Sequence, residues 1–361
     1  MFSAADHEFM ARALQLAERG LFSTSPNPRV GCVLVRDGVV VGEGWHVRAG
    51  EAHAEVLALQ AAGESARGAT AYVTLEPCNH HGRTPPCVDA LLAAGVSRVV
   101  AAMEDPNPLV AGQGMKRLQA AGVDVSFGLM AAEARELNIG FVSRMTRGRP
   151  WLRLKAAASL DGRTALNNGQ SQWITSAEAR RDGHRWRARA CAILTGYGTV
   201  RDDDPQLNVR DIETTRQPLR VVVDSRLETP PTARVLQGGK TLIVAAIDDP
   251  ARATALQARG AEVLLLANPS GKVDLAALLQ ELGRRGINEV HVEAGFKLNG
   301  SLLREGLVDE LLLYLAPSLI GDASRGLFNL PELATLSEKR VLQWRDVRQV
   351  GADLRVIARL T

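Results

Sequence analysis

Two short segments constrain the fold more than any other feature: "HAE" at 53–55 and "LEPCNHHGRTPPC" at 75–87. If they meet in space, His53, Cys78 and Cys87 offer one imidazole nitrogen and two thiolate sulfurs to a single metal ion. Zinc takes these donors tetrahedrally; a structural site uses four protein ligands, a catalytic site typically three with one position open. A fold that satisfies this must return a helix start at His53 to a strand end at Cys78 and to the first turn of a helix at Cys87. The count favours an open position, because Cys32 and Cys191 sit in apolar strand patterns suited to a core. At the start of a helix, Glu55 can approach the same site as His53. There it shuttles a proton and is not a ligand. The competing reading is a structural zinc loop with His80 or His81 as fourth ligand, which leaves "HAE" without a role. Cysteines separated by eight residues do not make the short redox dithiol.

The rest of the chain supplies the elements for such a return. "DHEFMARALQLAERG" has helical spacing, with Phe9, Ala13 and Leu16 on one face. "VGCVLV" and "VVVGEGWH" flank "RDG", a hairpin signal. A helix from "HAE" ends at Gly63, and "TAYVTLEPC" is a strand entering the metal loop. "PPCVDALLAAG" is a helix with Thr84 as N-cap and Pro85 at its first position. "SRVVAAM", "GMKRLQAAG" and "VDVSFG" continue strand, helix, strand, and one helix covers 131–145. The basic connection "RMTRGRPW" then marks a boundary near Gly148, predicting domains at 1–147 and 148–361. Beyond it, "WLRLKAAASLDG", "ACAILTG", "LRVVVDS", "KTLIVAA", "AEVLLL" and "NEVHVEAG" read as strands. "SAEARRDGHRWRARA", "DLAALLQELGRRG" and "LNGSLLREG" read as helices between them. Both halves are therefore layered α/β.

Composition excludes several classes. Against 43 basic residues stand 40 acidic ones, too even a balance for a nucleic-acid or membrane-surface binder. The N-terminus carries charges throughout and is no signal peptide. Apolar runs such as "LLLYLA" fall far short of the roughly 20 residues that span a bilayer. Four cysteines in 361 residues are no disulfide framework, which points to the reducing cytoplasm.

The arrangement of "HAE", "EPC" and a later cysteine is that of zinc nucleobase deaminases, except that eight residues replace the usual two between the cysteines. With "PNPRVG", "EDPNP" and "AGQG", it resembles the deaminase half of the bifunctional riboflavin-biosynthesis deaminase/reductases. The resemblance continues through "KAAASLDGRTA", "SQWIT" and "GYGTVRDDDPQLNVR" into "VEAGFKLNGSLL", nearly the whole chain. It implies a cytidine-deaminase-like three-layer α/β domain followed by a dihydrofolate-reductase-like α/β domain. Its cofactors would be Zn2+ and NADPH, its substrate a small phosphoribosylated pyrimidine. The first half would deaminate a diaminopyrimidinone; the second would reduce the ribose of the product. Asn27, in "PNP", would hold the substrate ring, although a turn role between prolines competes. No nucleic-acid or membrane partner is expected, and a homo-oligomer is. The alternative is a zinc RNA or nucleobase deaminase with an RNA-binding C-terminal half; it calls for a basic, aromatic-rich surface, and aromatic content is only 4%. A zinc-stabilised scaffold without catalysis is a further alternative.

In the second half, Gly295 lies between a strand and a helical pattern, a backbone cradle suited to phosphate that is also a common structural turn. "TGYGTV" is a second glycine-rich turn, and the dinucleotide fingerprint GxGxxG is absent. The resemblance implies NADP contacts at Ala157, Trp173, Thr199, Asp203, Ser225, Gly295, Phe296, Lys297, Leu298, Asn299, Gly300 and Ser301. It implies substrate contacts at Ser171, Arg187, Leu207, Arg210 and Glu293, and a catalytic place for Asp203. Arg187 and Arg210 suit a phosphate clamp, although five arginines between Arg180 and Arg189 also suit a solvated helix face. Trp173 could equally be core and Asp203 a turn residue. Lys155 and Asp161 are candidates for orienting the sugar.

Overall fold

Helix α1 (Ala4–Glu18) begins at Ser3, whose hydroxyl accepts the Asp6 amide while the Asp6 carboxylate accepts the Ser3 amide at 2.7 Å. This reciprocal cap satisfies donors that a helix start leaves bare. The computed structural model describes residues 2–79, 85–108 and 110–360. Thr84, His80 and His81 lie outside these, and the fourth-ligand expectation with them. The chain forms two compact units, Met1–Gly148 and Arg149–Thr361.

The first unit is built on five strands: β1 (Gly31–Arg36), β2 (Val39–Trp45), β3 (Thr70–Val73), β4 (Arg98–Ala101) and β5 (Asp124–Phe127), in the order β2-β1-β3-β4-β5. The β1–β2 hairpin turns through Asp37 and Gly38, both at positive φ, as a tight two-residue turn requires. Helix α1 buries Met10, Ala13, Leu14 and Ala17; Phe9 and Leu16, expected on the buried face, lie at its margin. Helix α2 (Ala54–Ala62) packs directly on β2, because a Cβ on Gly44 would stand 2.4 Å from the Ala54 carbonyl oxygen and one on Gly42 2.2 Å from that of Ala58. Helix α3 (Cys87–Ala93) starts two residues later than the sequence pattern suggests. Its N-cap is Pro86, with extended ψ, so Pro85 precedes the helix instead of opening it. Helix α4 (Gln113–Ala120) follows. The single helix expected over 131–145 is two, α5 (Ala131–Leu137) and α6 (Ile139–Arg147). They break at buried Asn138, whose side-chain amide pairs with the Arg29 amide at 2.8 Å and carbonyl at 2.9 Å.

The second unit contains nine strands of one sheet: β6 (Trp151–Ser159), β8 (Ala192–Gly196), β9 (Leu219–Val223), β10 (Thr241–Ala245), β11 (Ala261–Leu265), β12 (Glu289–Glu293), β13 (Glu310–Ala316), β15 (Leu342–Val350) and β16 (Asp353–Leu360). A separate short pair joins β7 (Arg163–Ala165) to β14 (Arg325–Gly326). The large sheet runs β11-β10-β9-β8-β12-β6-β13-β16-β15, parallel from β11 to β13 and antiparallel beyond. Its helices are α7 (Ala177–Arg189), α8 (Tyr197–Asp203), α9 (Pro250–Gln257), α10 (Leu275–Arg284) and α11 (Phe296–Arg304). Strand β12 sits between β6 and β8, so the carboxyl ends of these three strands open side by side. That is where ligands bind in open α/β sheets. Below this opening a buried seam, Arg359–Glu310–Arg153–Glu289–Arg189, fixes the register of the central strands. Each carboxylate in the seam meets two guanidinium groups, which offsets the desolvation that burial costs.

Candidate active sites

In the first unit, the sequence brings three donors together. His53 is the N-cap of α2, Cys78 follows β3, and Cys87 opens α3. The His53 Nδ1 lies 3.2 Å from the Cys87 Sγ and 3.5 Å from the Cys78 Sγ, and all three donor atoms fall within 4.8 Å of one another. Tetrahedral zinc bonds of about 2.0 Å to nitrogen and 2.3 Å to sulfur put ligand atoms roughly 3.5–3.8 Å apart, so this set fits zinc. Donation from Cys87, then from His53 against the effect of burial, brings the Cys78 thiol down to about 4. The same thiol–thiol contact, with burial, pushes Cys87 up. Cys32 is buried in β1, and neither it nor Cys191 belongs to a metal-ligating group among the described residues.

Glu55 lies in the first turn of α2, 3% exposed, with the Cys78 and Cys87 sulfurs acting on its carboxyl. Burial pushes its carboxyl up to about 7, and the Cys78 sulfur adds to the shift. A carboxyl in that range can both take and give a proton near neutrality. Close by, the His46 ring meets that of His53 edge-on at 5.2 Å. His46 Nδ1 lies 3.1 Å from the Ala52 carbonyl, so it carries the proton. Nε2 is then left to accept from the Asn27 amide nitrogen at 3.0 Å. This orients Asn27 and leaves its Oδ1 as the group able to meet a ligand.

Two supporting residues were not read from the sequence. His46 is one. Glu76, buried in "LEPC", is the other: its carboxylate accepts the amides of Asp105, Gly112 and Gly114 at 3.1, 2.9 and 2.9 Å. This explains the glycines of "AGQG", since a Cβ on Gly114 would meet the Pro77 carbonyl at 2.1 Å. A lone glutamate ending an apolar strand before proline was the available signal.

In the second unit a cavity of about 1530 Å³ opens at the carboxyl ends of β6, β8 and β12. Single-ligand pockets run to about 1,000 Å³, so this one has room for a dinucleotide and a second molecule. Ala157, Trp173, Thr199 and Asp203 line it, as do Gly295, Phe296, Lys297, Leu298 and Asn299. Ser171, Arg187, Leu207, Arg210 and Glu293 line it too, together with Lys155. Helix α11 begins at Gly295 without a side-chain cap, leaving its first amides to the cavity. Trp173 is 70% exposed with Arg180 stacked 4.4 Å from its ring, so the core reading fails. Asp203 ends α8, while the left-handed cap is Asp204, so the turn role falls to Asp204.

The remaining expected positions lie as follows. Ser225 stands past β9, where its hydroxyl accepts the Val273 amide at 3.2 Å, and does not line the cavity. Gly300 and Ser301 lie inside α11, also away from the lining; a Cβ on Gly300 would meet the Asn329 carbonyl at 2.2 Å. Asp161 anchors a turn by accepting the Ser159 hydroxyl and the Gly321 amide, and is not at the cavity. Of the α7 arginines, only Arg181 and Arg185 are exposed. Arg187 is not a free clamp: Glu293 takes two of its nitrogens and the Asn208 carbonyl a third. Although burial opposes it, Arg187 holds Glu293 well below the usual carboxylate range. Burial also pushes the Lys155 ammonium down, 3.9 Å from Glu293. Arg210 is exposed and hydrogen-bonded to the neutral side chains of Asn208 and Gln206, and makes no salt bridge among the described residues.

A hydrolytic zinc deaminase joined to a nicotinamide-nucleotide reductase is the class that this fold and these sites define. Residues 3–103 match the cytidine and deoxycytidylate deaminase zinc-binding region, and residues 150–356 match the RibD C-terminal domain. The chain belongs to the RibD family, and it is a bifunctional zinc-dependent deaminase and NADPH-dependent reductase of riboflavin biosynthesis. It is 53% identical to the riboflavin biosynthesis protein RibD of Escherichia coli, covering 97% of this chain and 98% of that one, and 46% identical to that of Haemophilus influenzae, covering 98% and 97%. Among solved structures, Acinetobacter baumannii RibD superposes with a TM-score of 0.93 at 45% identity, and a Thermotoga maritima diaminohydroxyphosphoribosylaminopyrimidine deaminase/5-amino-6-(5-phosphoribosylamino)uracil reductase with 0.88 at 32%; each covers 99% of both chains. The RNA-binding alternative for the C-terminal half is not favoured. Among the described residues no helix is long and apolar enough to cross a membrane.

Proposed function

We propose that residues 1–147 hydrolyse 2,5-diamino-6-(5-phosphoribosylamino)pyrimidin-4-one to 5-amino-6-(5-phosphoribosylamino)uracil and ammonia, and that residues 148–361 reduce the ribose of that product to a ribityl chain. The observation that carries the first step is the convergence of His53, Cys78 and Cys87 beside buried Glu55. His53, Cys78 and Cys87 would hold zinc, which when bound would polarise a water for attack. Glu55 would take one proton from the attacking water and pass it to the ring nitrogen, then take the second from the newly formed hydroxyl and pass it to the amine, which leaves as ammonia. Asn27, oriented by His46, accepts from the pyrimidine through Oδ1. In the second step NADPH would supply the hydride; the uncapped start of α11 would hold its phosphates, and Thr199 and Asp203 its nicotinamide end. Arg210 meets the substrate phosphate, and Lys155 and Glu293 meet the sugar. The four cysteines form no disulfide, which suits a reducing compartment, the cytoplasm. Exposed Trp344 and Val347 on edge strand β15 offer a surface for homo-oligomerisation. The test is incubation of zinc-loaded protein with the diamino substrate, with and without NADPH, following ammonia and NADPH separately. Ammonia release without NADPH, and NADPH oxidation only after it, is the expected pattern; NADPH oxidation preceding ammonia release would reverse the proposed order.

A further inference from the structure

We infer that His184 is a positioning residue of the reductase site, acting through Nδ1 to fix the loop that presents Arg210 to the substrate phosphate. The inference rests on the proposed reading of Arg210 as the phosphate contact.

His184 lies on α7 and is 8% exposed. Its Nδ1 accepts the backbone amide of Arg210 at 3.1 Å. An amide can only donate, so Nδ1 holds a lone pair and the proton of the neutral ring sits on Nε2. Protonation of Nδ1 would set donor against donor. Burial first, then the charges of Arg187 and Arg210, push His184 down to about 4, which keeps it an acceptor. Arg187, three residues along the same helix and hence on the same face, donates to the Asn208 carbonyl at 3.1 Å. Between these anchors the Gln217 side chain accepts the Val209 amide at 2.8 Å and donates to its carbonyl at 3.2 Å. The loop needs such holding: Leu207 and Asp211 have φ of +49° and +60°, unfavourable for residues with a Cβ. His184 itself makes no hydrogen bond or ion pair with Lys155 or Glu293, the groups placed at the sugar, among the described residues. Loss of the Nδ1 acceptor therefore frees the Arg210 backbone and weakens phosphate binding without disturbing the reacting atoms.

Asparagine and glutamine separate the two ring nitrogens, because the Asn Oδ1 stands near Nδ1 and the Gln amide reaches towards Nε2. Full-length, zinc-loaded His184→Asn, His184→Gln and Arg210→Ala would be assayed for NADPH oxidation with the aminouracil ribotide, with NADPH affinity by fluorescence. His184→Gln should raise KM about 5–20-fold, the size of one lost hydrogen bond to a functional group, at nearly constant kcat and NADPH affinity. His184→Asn should restore KM to near the parent value, and Arg210→Ala should raise KM at least as much as His184→Gln. An unchanged KM in His184→Gln beside an impaired Arg210→Ala would overturn the role of His184 alone. A normal KM in Arg210→Ala would instead remove the phosphate reading on which the inference rests. Failure of Asn to rescue, a fall in kcat at constant KM, or joint loss of NADPH binding would each overturn positioning through Nδ1.

Discussion

Glu55 shows how much of the chemistry a few residues carry. It is buried against two sulfurs yet is not among the donor set, so a change of its carboxyl should separate proton transfer from metal binding. Glu55→Gln should retain zinc and lose deamination by at least about 100-fold, the lower size of a general acid/base effect. Loss of zinc from that variant would show that Glu55 is a ligand. For the sulfurs the expectation is the opposite. Cys78→Ser and Cys87→Ser should bind zinc far more weakly, whereas Cys32→Ser should bind it fully; elemental analysis of the three purified variants decides. Full zinc in both loop variants would direct the search to other ligands. These residues were legible in the sequence because metal chemistry restricts residue type and count. His46, Glu76 and His184 were not. Each acts through one hydrogen bond or through backbone amides, and nothing in a single polar letter distinguishes that from an ordinary surface or core residue.

At the scale of elements, the deaminase site depends on how closely α2 approaches β2. Gly44 permits that approach, with the Ala54 carbonyl, the Ala58 amide and the Leu57 Cβ all within 2.7 Å of where a Cβ would stand. Backbone atoms cannot yield as a flexible side chain can, so Gly44→Ala should shift α2 and cost about 1–3 kcal/mol. Since His53 caps that helix, zinc affinity should fall as well. Gly183→Ala, which meets nothing within 4 Å, is the control. Thermal unfolding and zinc titration measure both effects; parent-like values for Gly44→Ala would mean that α2 is not held at this distance. Most strands and helices were legible from periodicity, including the Asp37–Gly38 hairpin. The break at Asn138 was not, because its cause is a pairing with Arg29, 109 residues away in sequence. Strand β15 was obscured too: it is exposed along most of its length and bulged between Trp344 and Asp346, so apolar alternation never develops.

At the scale of the whole molecule, each unit has its own apolar core. One cluster spans Met10 to Val142, and the others lie wholly beyond Gly148. The zinc donors fall in the first unit and every cavity residue named above in the second. The assignment of one chemistry to each was legible because the motif spacing resembled a known pair of domains. The pairing of Arg187 with Glu293, which leaves Arg210 among the cavity arginines that make no salt bridge with a described residue, was not. A run of arginines in sequence does not say which of them meets a carboxylate in the fold. The most direct measurement is therefore to remove zinc by chelation and assay both reactions on the same protein, supplying the deaminated aminouracil ribotide for the second. Ammonia release from the diamino substrate should be lost and restored by added zinc, while NADPH oxidation with the aminouracil should continue at the parent rate. Loss of both activities from a protein that remains folded would contradict two separate sites on one chain.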